Sequence, residues 1–188
     1  MVARGTEFFG YGSLVNLATH DYVNPRKTTV HGWRRQWVYS LKRDVSFLSV
    51  SQDPQCSIQG LVADVTHIGW DALDLREVGY NRLALPDTAL SETGFSGVQI
   101  YKADPAHVDP TALEKPILLS YIDCVVQGFL EHFGKDGVAA FFETTAGWER
   151  SIKNDRTAPI YPRAQILTDA QTKMVDKHLL NLPVTIVS

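Results

Sequence analysis

Cysteine is almost missing from this chain: Cys56 and Cys124 are the only two in 188 residues, and they stand far apart. They cannot build a disulfide framework or a C-x-x-C motif, and they read as buried or inert thiols in a reducing compartment. Excess positive charge is missing too. With 18 Lys and Arg against 21 Asp and Glu, the net charge is -3 and no basic stripe is available for nucleic acid. Long apolar runs are absent: "ILLSYIDCVVQGFL" carries Asp123 and Gln127 and is too short to span a membrane. The opening "RGTEFF" lacks the apolar stretch of a secretory signal. The expectation is a cytoplasmic protein with neither a nucleic-acid nor a membrane partner.

Familiar cofactor and metal motifs are lacking as well. There is no G-x-x-x-x-G-K-[ST] phosphate loop, and "GYGSLV" fails G-x-G-x-x-G because Val15 stands at the third glycine position. No H-E-x-x-H or paired zinc spacing occurs, and His20, His31, His67, His107, His132 and His178 are scattered as surface or packing residues. "GYGSL" is also not the G-x-S-x-G elbow, so Ser13 has no identifiable base that would make it a nucleophile.

What is present is the composition of an ordinary globular domain, 44% hydrophobic and 21% charged. Strands are expected at 6–9, 28–41, 44–51 and 57–66, with Gly32 and Gly60 as bends. A short helix fits 69–78, followed by strands in "YNRLAL" and "GVQIYKA". The second half turns helical. Pro116 suits a helix N1 position, Leu118 to Phe133 keep helical spacing, Gly134 closes that helix, and Asp136 caps another. A last helix opens on a Thr168/Gln171 capping box, with Met174, Val175, His178, Leu179 and Leu182 on one face. Strands first and helices later point to an α+β fold. The domain boundaries expected are 1–188, with 148–188 as a C-terminal extension.

Three features carry chemistry. The strand "FF" ends in Gly10-Tyr11-Gly12-Ser13-Leu14, where free peptide N–H groups could form a concave nest for an anion. A tight turn with nothing bound would use the same residues. Glu77 lies among Leu73, Leu75, Val78 and Tyr80, and desolvation there would raise its pKa into a range useful for proton transfer. Arg76 or Arg82 turned toward it would oppose that shift, and a plain surface Glu–Arg pair is the other reading. Tyr121 sits on the apolar face of the long helix, either as a core side chain or with its hydroxyl in a pocket.

Taken together, these segments resemble the gamma-glutamylcyclotransferases, including their ChaC-like branch. "FGYGSL" (Phe9–Leu14) is similar to the family's opening loop, and Gly32-Trp33-Arg34-Arg35-Gln36-Trp37 to its next motif. Gln59-Gly60-Leu61-Val62 matches a following strand, and "LDLREVGY", with Leu73, Asp74 and Glu77, is close to the ChaC-like form. Tyr121, Gly128 and Gly134 look like the family's later helix. The resemblance spans roughly residues 7–134. It departs at Val15-Asn16, where an aromatic residue often follows, and in the C-terminal stretch "NDRTAPIYPRAQ".

The resemblance implies a small mixed β-barrel with flanking helices. It implies a monomer or homodimer acting on a small gamma-glutamyl substrate, with no cofactor and no metal. The α-amine of the substrate would attack its own γ-carbonyl, releasing 5-oxoproline and an amine, amino acid or peptide. Glu77 would be the general acid/base, with Tyr11, Gly12, Ser13, Leu14, Tyr121 and Arg82 binding substrate. A non-catalytic module for a small carboxylate or peptide end, and an amide hydrolase or amine transferase in the same pocket, are the alternatives.

Overall fold

The structure, a computed structural model, describes residues 5–109 and 115–187. Its spine is a pair of long antiparallel strands, β2 (Val23–Ser40) and β3 (Ser46–Asp64). Strand β1 (Glu7–Gly10) runs antiparallel to β3, with Phe9 opposite Val62. On its other side β1 pairs in parallel with β5 (Gln99–Ala103), which in turn carries β4 (Tyr80–Ala84) antiparallel. Two short strands, β6 (Val108–Asp109) and β8 (Thr145–Ala146), pair with the C-terminal half of β2.

The segments expected as separate strands at 44–51 and 57–66 are one strand, β3. The sequence signal that divided them is nevertheless physical. The ladder with β2 slips where Gln52 faces Trp33 and Ser57 faces His31, so Asp53, Pro54, Gln55 and Cys56 stand opposite Gly32 alone. Gly32 adopts a φ of 79° at this slip, which accommodates the sharp local twist of a bulge.

The α+β expectation holds, but the sheet does not close into a barrel. Its order is β4-β5-β1-β3-β2-β6, with β8 beside β2, and β4 is left as an edge. Among the described residues, β6 and β8 are two-residue strands, too short to carry a ladder round to β4. A helix covers the apolar face instead. Helix α2 (Leu119–Glu143) inserts Ile122, Val125 and Phe129 into a cluster shared with Phe9, Val62 and Trp37. Each such fully buried side chain contributes roughly 1.5–3 kcal/mol.

Two helices were expected where α2 runs, divided at Gly134. The division is present: Gly134 has a φ of 67° and a ψ of -165°, breaking the helical path inside α2. Pro116, however, is not at N1. It precedes β7 (Ile117–Leu118), and α2 begins at Leu119. The helix start is capped from far along the chain, by Asp155, which accepts from the Ser120 amide at 2.8 Å and the Ser120 hydroxyl at 2.6 Å.

That cap belongs to a C-terminal segment tied into the body. Strand β7 pairs with β9 (Ile152–Lys153), which pairs with β10 (Ile186–Val187). Helix α3 (Asp169–Leu179) has the expected Thr168/Gln171 capping box. Ile152, Val175 and Leu179 join the same buried cluster as α2, and His178 stacks on Phe142 with ring centroids 4.7 Å apart.

Candidate active site

The glycine turn follows directly from the end of β1. A Cβ on Gly10 would lie 2.7 Å from the Leu14 Cβ, so the chain can fold back on itself only without a side chain there. A Cβ on Gly12 would lie 2.7 Å from the Tyr121 hydroxyl and 3.1 Å from a Leu48 methyl. Gly12 is therefore open because Tyr121 approaches it. The ladder ends at Gly10, so the amides of residues 12–14 lie outside any strand pairing.

Every carbonyl of the turn is already occupied. Tyr11 O accepts from Arg35 Nε at 2.7 Å, and Gly12 O from the Val15 amide at 2.9 Å. Ser13 O accepts from the Thr19 hydroxyl at 3.0 Å and the Asn16 amide at 3.1 Å. Leu14 O accepts from His20 Nε2 at 3.0 Å, since the His20 Nδ1 accepts from the Tyr22 amide and leaves Nε2 as the donor. Burial lowers the His20 pKa, which keeps this neutral tautomer in place. Asn16 fastens the turn to α2 through Cys124 O at 2.8 Å and Gln127 Oε1 at 2.9 Å. With these carbonyls engaged and the Ser13 amide given to the Tyr121 hydroxyl, the Gly12 and Leu14 amides are the donors of the turn that remain among the described residues.

Across from the turn stands Glu77. Helix α1 (Trp70–Arg76) ends just before it, so Glu77 is the residue after the last helical turn and not part of the helix. Its side chain is 16% exposed. Of the four neighbours expected to desolvate it, Tyr80 does, whereas Leu75 and Val78 face solvent and Leu73 is buried in a separate cluster. The rest of the burial comes from residues distant in sequence, Leu48, Tyr101 and Tyr121. That burial raises the Glu77 pKa, while Arg76, Arg163 and Arg43 pull it back.

Tyr11, Tyr80, Tyr101 and Tyr121 all line this cleft, together with Gly12, Ser13 and Leu14. Three of the phenols have committed protons. Tyr11 donates to Tyr101 O and Tyr80 to Leu48 O, each at 2.6 Å, and Tyr101 donates to Asp74. Among the described residues, the Tyr121 hydroxyl has no acceptor for its proton. Burial raises its pKa, Tyr161 and Glu77 add to the rise, and the Ser13 amide offsets part of it. Tyr121 therefore stays a protonated donor at neutral pH.

Arg82 is not in this cleft. It pairs with Asp74 at 3.4 Å and covers the Trp70 ring at 4.1 Å, lining a separate depression with Gly5 and Gln99. It shares a face of β4 with Tyr80, but two residues along a strand is about 7 Å, enough to pass the cleft. Arg76 is the arginine beside Glu77. It also donates to Thr19 O at 2.9 Å and the Thr19 hydroxyl at 3.1 Å.

The C-terminal segment, where the sequence departs from the family, packs onto α2 beside the cleft. Arg156 forks onto Asp123 at 2.7 and 2.8 Å and reaches Asp176 at 2.7 Å. Farther on, the Tyr161 ring meets Tyr121 edge-to-face with centroids 5.0 Å apart. The cleft is narrow, and its volume of about 310 Å³ includes the open solvent at its mouth.

No protein-family model matches the chain, and no curated protein matches it. Solved structures do. A gamma-glutamyl cyclotransferase superposes with a TM-score of 0.60 over 92% of this chain and 98% of its own, at 13% identity. The uncharacterized protein loc79017 from Homo sapiens gives 0.55 over 92% and 99%, at 11% identity. YkqA from Bacillus subtilis gives 0.53 at 16% identity, this chain covering 55% of it. The chain therefore has the fold of these proteins.

Proposed function

We propose that the protein is a cyclotransferase acting on gamma-glutamyl compounds, with Glu77 as general acid/base. The observation that carries this reading is the pairing across one cleft of a desolvated carboxylate and an amide-lined turn. The shared fold with a gamma-glutamyl cyclotransferase supports it.

The chemistry needs little more than those parts. Nucleophile and electrophile sit in the same substrate, so holding it bent supplies much of the rate. Glu77 takes a proton from the α-ammonium, and the freed amine attacks the γ-carbonyl carbon. A new C–N bond forms and the carbonyl oxygen becomes an oxyanion. The Gly12 and Leu14 amides and the Tyr121 hydroxyl are the donors for that oxygen. The ring nitrogen gives up its second proton, the oxyanion collapses, the bond to the leaving nitrogen breaks, and Glu77 carries both protons in turn to that nitrogen, which departs as an ammonium. The products are 5-oxoproline and an amine. A carboxyl raised above its ordinary pKa suits both transfers near neutral pH.

The test is product analysis by mass spectrometry over glutathione, gamma-glutamyl amino acids and gamma-glutamyl amines. Release of 5-oxoproline that disappears in Glu77→Gln is the expected result. Glutamate as product would mean a hydrolase. No turnover, with thermal stabilisation by a small carboxylate, would mean a binding module.

A further inference from the structure

Arg35 lies midway along β2, 1% exposed, and nothing in the proposed reaction touches it. Burying a cation without a counter-charge is costly, and among the described residues no carboxylate pairs with it. Its partners are neutral oxygens: Tyr11 O at 2.7 Å, Thr144 Oγ1 at 2.8 Å and Gln59 O. The rings of Phe129 and Phe141 lie 4.9 and 5.5 Å from its guanidinium carbon. Burial pushes its pKa down to about 9, which leaves it charged at neutral pH.

One of the three acceptors belongs to the peptide unit joining Tyr11 to Gly12. The described chain has no cis peptide bond, so the C=O and N–H of that unit point in opposite directions. With its carbonyl drawn to Arg35 in the interior, the unit turns the Gly12 N–H the other way, toward the cleft that Gly12 lines. The geometry points to Arg35 as a positioning residue for the site, which orients the Tyr11–Gly12 peptide and strengthens the Gly12 N–H as a donor.

The strengthening is electronic. A charge-assisted bond at the carbonyl draws density from the amide nitrogen, which leaves its proton more positive for whatever oxygen it meets. Thr144 at the end of α2 and Gln59 on β3 hold the guanidinium so that the third bond cannot drift. A buried cation with no acid partner is thus matched to the one place where its field reaches the site through a single peptide. The catalytic consequence rests on the cyclotransferase reading, whereas the orientation of the peptide does not.

The experiment combines a spectrum and a rate. Arg35→Met removes the donor, and Arg35→Lys keeps the charge while losing the fork. In ¹⁵N-labelled protein, the Gly12 amide proton and nitrogen resonances are expected to move upfield in Arg35→Met and part-way in Arg35→Lys. On a gamma-glutamyl substrate, kcat is expected to fall about 10-fold in Arg35→Met, less than for loss of a direct oxyanion donor, with KM within about twofold. Arg35→Lys is expected to recover part of it. If Arg35→Met fails to fold, Arg35→Lys against wild type carries the test. An unmoved Gly12 amide in a folded variant, or an unchanged kcat, would overturn the inference. Absence of any wild-type turnover would sink the cyclotransferase reading instead, and the resonance shift would still decide the role of Arg35.

Discussion

The Arg76 Nε lies 3.3 Å from Glu77 Oε1, yet the Glu77 carboxyl is still held above its ordinary pKa. Sequence neighbours with opposite charge would ordinarily leave the acid low. Here burial by the tyrosines and Leu48 outweighs the attraction, and Arg76 divides its donors between Glu77 and Thr19. The result is a carboxylate that is costly to keep charged.

Glu77→Gln should separate activity from stability. Loss of a general acid/base costs about 10²–10⁴-fold in kcat. Folding should not suffer, because an amide of the same shape removes a desolvated charge. The pH dependence follows from the direction of the shift. Glu77 binds its proton more tightly folded than unfolded, so its contribution favours the fold below the ordinary carboxylate pKa and is lost as pH rises through the raised value. Thermal melts should therefore show Glu77→Gln at or above wild type at pH 7.5, with the gap closing by pH 4. A mutant that melts well below wild type at pH 7.5 would contradict the desolvated state.

Tyr121→Phe tests the uncommitted phenol proton. The ring keeps its edge contacts with Trp37 and Tyr161 at 5.8 and 5.0 Å, so packing survives. If the hydroxyl donates to the developing oxyanion, kcat should fall about 10–10³-fold with KM nearly unchanged. Steady-state kinetics give the split directly, and a pure KM effect would move the hydroxyl to ground-state binding.

Gly12→Ala places a methyl 2.7 Å from the Tyr121 oxygen. Overpacking of this kind costs about 1–3 kcal/mol. The Gly12→Ala/Tyr121→Phe double variant removes the clashing oxygen and should regain part of that loss, a coupling readable by chemical denaturation. Strict additivity would show that the two residues do not meet.

The part of the site legible in the sequence was the part where geometry leaves a compositional mark. Gly10 and Gly12 are glycines because Leu14 and Tyr121 come too close for a Cβ, and that requirement shows in a single sequence. Glu77 was found for a local reason that holds at Tyr80 but not at Leu75 and Val78, which point to solvent, or at Leu73, which packs in a separate cluster. Its other neighbours arrive from β1, β3, β5 and α2, and only the fold brings them together. Pro116 offered a plausible helix start, while the actual cap, Asp155, lies 35 residues beyond Ser120 and leaves no local pattern. Arg35 and His20 act on carbonyls, which have no sequence identity to detect. Arg82 was named from the resemblance, and the structure holds it on Asp74 and Trp70, outside the cleft.

Asp155→Ala should release the C-terminal wall. Burial pushes the Asp155 carboxyl upward, but hydrogen bonds from Ser120 and the Ile160 amide outweigh it and hold the pKa below the ordinary value. Its contribution is therefore present above the ordinary carboxylate pKa and lost as pH falls through the lowered one. Bonds to a charged acceptor are worth about 1.5–3 kcal/mol each, so the loss should be at least about 2 kcal/mol at pH 7. Hydrogen exchange should show faster opening at Ser120 and at Ile160, and a mutant with native exchange at both would count against the cap.

Arg163 is the place to look for substrate selectivity. It follows Tyr161, whose ring packs on Tyr121, and its charge is felt by Glu77 and Cys124. Among the described residues no carboxylate lies within ion-pair distance of it, and Glu77 is the only acid lining the cleft. For the proposed cyclotransferase reaction, an uncommitted cation whose charge reaches Glu77 should favour a substrate whose leaving amine carries its own carboxylate, a gamma-glutamyl amino acid or peptide over a gamma-glutamyl alkylamine. Arg163 is half-buried, so solvent screens part of the attraction, and about 1.4 kcal/mol, or 10-fold in kcat/KM, is the scale to expect. Arg163→Gln should lower kcat/KM for the carboxylate-bearing substrate by about that factor and leave the alkylamine substrate unchanged. Added salt should mimic the mutation in wild type, because an exposed-side ion pair weakens with ionic strength. Equal losses on both substrates would place Arg163 in the architecture of the wall and not in recognition.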